Sequence, residues 1–240
     1  MDEKTVTNVI TMQNICKSYK MGNDTLNVLK NVGFTVQKGE FVAILGPSGS
    51  GKSTLMNILS GVYPYGTYDG DILFDGNICQ FQGIKQSESV GISIIHQELA
   101  LAPNLSVAEN VFLGRPFMTK MGLVDWKKLR VEAQELLKSL NIDLNVDTEV
   151  SRLSVAQKQI VEICKALSFN AELIIMDEPS ATLTERELDA LFNIIDILKA
   201  RGVTVIYISH RMEEIFKIAD TVSVLRDGMH IDTLPVAEVD

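Results

Sequence analysis

Residues 46–54 read "GPSGSGKST". The run fits the spacing G-x-x-x-x-G-K-[ST], with Gly46, Gly51, Lys52 and Ser53 at the fixed positions. Glycines permit positive φ and close backbone approach, so successive N–H groups can wrap a phosphate. Lys52 then reaches the β- and γ-phosphates, and the Ser53 hydroxyl is a ligand for Mg²⁺. The flanks support this. "GEFVAILG" (39–46) has the composition of a buried strand, and "STLMNILSGV" (53–62) has helical spacing. Strand, glycine loop and helix together form a phosphate cradle. The candidate nucleotide contacts are therefore Gly46, Pro47, Ser48, Gly49, Ser50, Gly51, Lys52, Ser53 and Thr54.

Working outward, "AELIIMDEPS" (171–180) is a hydrophobic strand ending in Asp177 and Glu178. In phosphate-loop enzymes a strand-end Asp holds the metal. A Glu directly after it can polarise the attacking water as a general base. "VTVIYISH" (203–210) is a strand closed by His210. Beside the Asp177 strand in a parallel sheet, His210 is placed to hydrogen-bond a γ-phosphate, because ligands bind beyond the carboxyl ends of such strands. Gln97 closes a third strand, "VGISIIHQ" (90–97). His96 and His230 are assigned no role.

The remaining chain organises around these motifs. Residues 7–45 read as strands, with turn signals at "MGND" (21–24) and "VQKGE" (36–40). "GTYDGDILFDG" (66–76) is a strand between Asp-Gly turns. "NLSVAENVFLG" (104–114) opens a helix with a Ser106/Glu109 capping box. "DWKKLRVEAQELLKSLNI" (125–142) places Trp126, Leu129, Ala133, Leu136, Leu137 and Leu140 on one helical face. "LSVAQKQ" (153–159) is a helix start whose Ser154 and Gln157 form an S-x-x-Q capping box, which needs no ligand. "TERELDALFNIIDILKARG" (184–202) and "MEEIFKIAD" (212–220) are helices, and "TVSVLRDGMHIDTL" (221–234) is a hairpin on an Asp-Gly turn. The fold class is α/β: a P-loop NTPase core with a parallel sheet, an N-terminal antiparallel β subdomain and an inserted α-helical subdomain. Residues 1–240 form one domain, with 1–97 and 166–240 supplying the core and β subdomain and about 98–165 the helical insert.

Composition narrows the partners. The 240 residues carry a net charge of -9 and a pI of about 4.9, which argues against nucleic acid as a partner. Three widely spaced cysteines, Cys16, Cys79 and Cys164, fit neither a disulfide framework nor a zinc site. The first ten residues, "MDEKTVTNVI", lack the basic start and apolar core of a signal peptide. No apolar run approaches the roughly 20 residues that span a bilayer.

The phosphate loop, the strand ending in Gln97, the L-S-x-x-Q helix start, "IIMDEPS" and "ISH" follow one another in the order found in ATP-binding cassette (ABC) ATPases, and nearly the whole chain resembles them. The resemblance implies that Gly46 to Thr54 are the Walker A loop and Gln97 the Q-loop glutamine, joining Ser53 and Asp177 around Mg²⁺. Asp177 and Glu178 end the Walker B strand, Ala181 to Thr184 are the D-loop and His210 is the switch histidine. Tyr19, in "ICKSYK", takes the place of the aromatic ring that stacks on adenine. Lys52, Gln97, Glu178 and His210 form the implied catalytic set. Ser154, Ala156 and Gln157 belong to the signature, which in this family contacts ATP held by the other of two cassettes packed head to tail. A helix N-terminus offers free N–H groups and partial positive charge to that γ-phosphate. The chain departs from the family at Val155 and Ala156, where two glycines are usual, and at Thr184, where Asp is usual.

"LSGVYPYGTYDGDILFDG" (59–76) and "GISIIHQELALAPNLSVAENVFLG" (91–114) are similar to ATPases of monosaccharide importers, especially xylose-type and multiple-sugar members. That implies an ATP- and Mg²⁺-dependent hydrolase at the cytoplasmic face of a membrane. Its partners would be a second cassette (a fused C-terminal half or another copy), a membrane permease and, indirectly, a sugar-binding protein. Members of this group usually carry two cassettes, so the chain is expected to be an N-terminal one. Other readings of the same motifs are a nucleotide-gated clamp with little turnover, an ABC ATPase outside transport, and a small-molecule kinase.

Overall fold

The computed structural model describes residues 7–239. The first six residues of the stretch read above for a signal peptide lie outside the described residues. Two long strands, β1 (Asn8–Met21) and β2 (Asp24–Gln37), pair antiparallel across the predicted turn at 21–24. The strands β4 (Asp69–Phe74) and β5 (Asn77–Cys79) join them in a four-stranded antiparallel sheet of order β2-β1-β4-β5.

The second sheet has six strands. Its members are β3 (Phe41–Leu45), β6 (Ile92–Ile95), β7 (Leu173–Asp177), β8 (Thr204–Ile208), β9 (Thr221–Arg226) and β10 (Met229–Pro235), in the order β10-β9-β3-β8-β7-β6. Five run parallel; β10 turns back antiparallel through Asp227 and Gly228, both at positive φ, as the Asp-Gly signal predicts. Alternation along these strands fills both faces. Phe41, Ile174, Met176, Val205 and Tyr207 enter one core, while Val42, Ile44, Leu173, Ile175, Ile206 and Ile208 enter the other. The second core is shared with the four-stranded sheet and with α1 (Lys52–Leu59), whose Leu55, Met56, Ile58 and Leu59 are buried there.

Between β6 and β7 the named elements are helices joined by loops. After the short α2 (Ile84–Ser89), which precedes β6, come α3 (Val107–Val111), α4 (Trp126–Ser139) and α5 (Val155–Ser168). The Ser106/Glu109 capping box starts α3 as read from sequence. Asn110 is fully buried and ties the loop before α3 to the helix, accepting from Ala102 N at 2.7 Å and donating to Ala102 O at 3.0 Å. On α4, Leu129, Ala133 and Leu137 are buried, as is Leu140 just beyond it. Trp126 departs from the predicted apolar face and is 48% exposed. It is the first helical residue, and helical side chains lean toward the N-terminus, so its ring projects past the packed turns. The last helices are α6 (Glu185–Ala200) and α7 (Met212–Ile218). Cys16, Cys79 and Cys164 are free thiols, and burial pushes Cys164 up to about 12.

Candidate functional site

The phosphate loop joins β3, the central strand, to α1. A Cβ on Gly46 would stand 2.2 Å from Leu225 O, and Gly51 has φ 98 with Leu29 Cδ2 only 2.6 Å from where a Cβ would sit. Both positions exclude a side chain. No side chain caps α1, so the free N–H groups of its first turn remain available to an anion. Lys52 donates its ammonium to Gly46 O at 2.6 Å and Pro47 O at 3.1 Å, which folds the cation into the loop. Burial lowers its pKa, and the carboxylates of Glu178 and Asp177 oppose that shift. A loop of free donors around a buried ammonium is chemically complementary to a polyphosphate.

Neighbouring strand ends bring the acidic and imidazole groups to this loop. Asp177, the last residue of β7, pairs in register with Ile208, the last of β8. Burial pushes the Asp177 carboxyl up, as does the charge of Glu178; Lys52 and a hydrogen bond with the Ser53 hydroxyl pull it down. His96 also lowers it, so this residue, given no role from sequence, lies within electrostatic reach of the site. Glu178 holds φ 47, a conformation costly for a residue with a Cβ and concentrated at functional sites. Its N–H donates to Ile208 O at 3.0 Å. His210 stands two residues past the end of β8, and its Nδ1 is 3.4 Å from Glu178 Oε1. A cavity of about 630 Å³ is lined by the loop from Gly46 to Thr54, by Leu26 and Val28 of β2, and by Glu178, Ile208 and His210. Leu26 and Val28 were missed from sequence, although alternation along β2 already places them on one face.

Other predicted residues do not line this cavity. Gln97 is exposed in the turn after β6, which ends at Ile95, so it does not close the strand itself. Tyr19 is half-buried on β1, paired across the sheet with Leu26, and its ring meets Tyr63 edge-on at 6.4 Å. Burial, and then the neighbouring Tyr63, raise its phenol to about 12, and the Thr54 hydroxyl opposes that shift. At the start of α5, Ser154 N donates to Gln157 Oε1 at 3.0 Å and Gln157 N to Ser154 Oγ at 3.3 Å, completing the capping box. Ser154 is exposed and Ala156 half-buried, and neither lines the cavity.

The family model described as ABC transporter matches residues 29–181. Among curated proteins, the xylose import ATP-binding protein of Thermoanaerobacter pseudethanolicus is 50% identical over 225 residues, covering 94% of this chain and 44% of that protein. The L-arabinose transport ATP-binding protein of Geobacillus stearothermophilus is 46% identical over 94% of this chain and 43% of its own length. The ribose import ATP-binding protein of Caldanaerobacter subterraneus is 46% identical over 96% of the chain and 45% of its own length. The chain thus spans less than half the length of the curated relatives it matches. Among solved structures, a nucleotide-free ATP-binding cassette from an ABC transporter superposes with a TM-score of 0.81 at 27% identity, covering 95% of this chain and 91% of that one. A dimeric ATP-binding cassette in a post-hydrolysis state, bound to ADP and Pi, gives 0.79 at 27% identity over 95% and 98% of the two chains. With the family model spanning more than half of the residues and the P-loop fold matching along nearly all of them, the chain belongs to the ABC transporter family, as an ATP-binding cassette.

Proposed function

We propose that this cassette binds and hydrolyses Mg-ATP to power import of a simple sugar, xylose or a related monosaccharide, through a membrane permease. The observation that carries the hydrolytic part is the 3.4 Å contact of Glu178 and His210 at the mouth of the phosphate loop. Lys52 and the α1 N-terminus bind the β- and γ-phosphates. Glu178 takes the proton of the attacking water, and His210 orients the γ-phosphate. Ser53 and Asp177 fit a magnesium ion: a hydroxyl beside a carboxylate whose charged form burial disfavours and a bound cation would favour. Gln97 would complete this set from the turn after β6. When bound, Mg²⁺ would neutralise charge on the β- and γ-oxygens.

The sugar-import names of the relatives support the substrate class. No described helix is long and apolar enough to cross a membrane; in this reading the cassette attaches at the cytoplasmic face through a permease. The helical segment of about 98–165 is the surface offered to it, and a sugar-binding protein delivers the substrate from the other side. A second cassette, fused or a separate copy, supplies a signature helix start to this ATP, as Ser154, Ala156 and Gln157 do for the other. Ser154 is exposed at the start of α5, within reach of a second cassette, which supports that role despite Val155 and Ala156.

The test is phosphate release from Mg-ATP over a wide range of protein concentration. Specific activity should rise with concentration, because two copies complete each other's sites. Glu178→Gln should retain ATP binding and lose ~10²-fold or more in turnover. Unchanged turnover in that variant would remove Glu178 as the base.

A further inference from the structure

The loops that carry Glu178 and His210 share an anchor for which the sequence motifs do not account. Glu214, in the first turn of α7, is only 2% exposed. Its Oε2 accepts hydrogen bonds from Ser180 Oγ at 2.6 Å, Tyr207 Oη at 2.9 Å and Ser209 Oγ at 3.2 Å. Its Oε1 lies 2.8 Å from Arg211 Nη1, an ion pair rather than an aligned hydrogen bond. Ser180 follows Glu178 by two residues in the loop after β7, and Ser209 directly precedes His210. Ser180, Tyr207 and Ser209 are all at most 2% exposed. Ser209 Oγ also accepts from Arg211 N at 3.0 Å, which closes the network onto the α7 start.

A carboxylate is buried only where its partners repay the lost hydration. Here three hydroxyl donors converge on one oxygen, and only an acceptor-only group serves all of them while facing an arginine. Burial pushes the Tyr207 phenol up, so it remains a donor. The outer side of the site offers little support, since the His210 side chain is 65% exposed. Glu178 is held in a strained backbone conformation at φ 47. Both features require restraint from beneath, where Glu214 stands.

We propose that Glu214 is a positioning residue for hydrolysis. It clamps the loop after β7 to the loop after β8, so that the Glu178 carboxylate and the His210 ring keep their contact facing the phosphate loop. Its functional meaning rests on the reading of this chain as an ATPase. Glu214 itself touches neither Glu178 nor the phosphate loop.

The test uses the full chain and the NMR signals of the His210 ring. In the native background, Glu178→Gln should shift those signals, because the two side chains are in contact. With Glu214→Gln already present, the same change should shift them by less than about half as much, because the clamp is released. In turnover, Glu214→Gln should lower kcat about 10-fold or more and change the KM for ATP less than about twofold, since the loop from Gly46 to Thr54 is untouched. A full-sized ring response to Glu178→Gln in the Glu214→Gln background overturns the proposal, even if Tm falls. If Glu214→Gln does not fold, the Ser180→Ala/Ser209→Ala double variant takes its place in the ring measurement, with the same two outcomes. A native chain that neither binds Mg-ATP nor releases phosphate would refute the ATPase reading, while the ring measurement would still decide the clamp.

Discussion

Replacing Gly228 with alanine tests whether the β9–β10 hairpin props the phosphate loop. Gly228 has φ 79, and a Cβ there would stand 2.3 Å from Val28 O. Its N–H donates to Ser50 O at 3.2 Å, and its carbonyl accepts from Lys30 N at 2.7 Å. Val28 and Ser50 both line the cavity at the phosphate loop. The left-handed backbone costs a non-glycine residue about 1–2 kcal/mol. The clash is with a backbone carbonyl that cannot rotate away, and overpacking of this kind costs about 1–3 kcal/mol more. The total is about 2–5 kcal/mol. Gly22 is the control: it has φ 64 but nothing within 4 Å of its would-be Cβ, so Gly22→Ala should cost only about 1–2 kcal/mol. In thermal unfolding, Gly228→Ala should lower Tm by roughly 4–20 °C and Gly22→Ala by roughly 2–8 °C, the loss for Gly228→Ala being the larger. In ATP titrations, only Gly228→Ala should weaken binding, because relieving its clash moves Val28 and Ser50. Equal Tm losses for the two alanines would refute the clash, and native ATP affinity in Gly228→Ala would refute the coupling to the loop.

Lys52→Ala should abolish measurable ATP binding in equilibrium titration, because the buried ammonium is the loop's own cation; unchanged affinity would sink the phosphate-loop assignment. Tyr19→Ala should weaken ATP more than inorganic triphosphate, and equal losses for both would remove its adenine role. Glu109 is expected to stabilise the start of α3 in a pH-dependent way. Hydrogen bonds from the Ser106 side chain and backbone hold its pKa below the ordinary 4.5. Its folded pKa is depressed, so the contribution is fully present above 4.5 and is lost as pH falls through the folded value. Urea unfolding should show Glu109→Gln about 0.3–1 kcal/mol less stable at neutral pH, since glutamine keeps the capping box and loses only the charge near the helix N-terminus. That gap should close in acid, and a gap independent of pH would contradict the assignment.

What was legible in the sequence was local. The phosphate loop, the Ser106/Glu109 and Ser154/Gln157 capping boxes and the Asp-Gly hairpin turn each depend on a few adjacent residues, whose backbone demands only certain side chains meet. The alternating burial of β3, β7 and β8 was legible as continuous apolar runs, which is how strands covered on both faces read. The six-residue α2 and the three-residue β5 left no mark, because neither is long enough for a period to repeat. Trp126 fitted the helical spacing of α4, yet the packed turns begin only after it.

The site divides along the same line. Residue types and spacing were enough to nominate Lys52, Ser53, Asp177, Glu178 and His210, since phosphate chemistry asks for a lysine and a hydroxyl closing a glycine loop and for acidic or imidazole groups at strand ends. Their distances were not legible, because Glu178 and His210 meet only when β7 and β8 pair in parallel with Asp177 beside Ile208. Leu26 and Val28 line the cavity only because the four-stranded sheet folds over the loop. Glu214 looked in sequence like one more charge in the first turn of a helix. Tertiary packing places it beneath two loops, where burial leaves Ser180, Tyr207 and Ser209 no water to bond and turns an ordinary glutamate into their common acceptor.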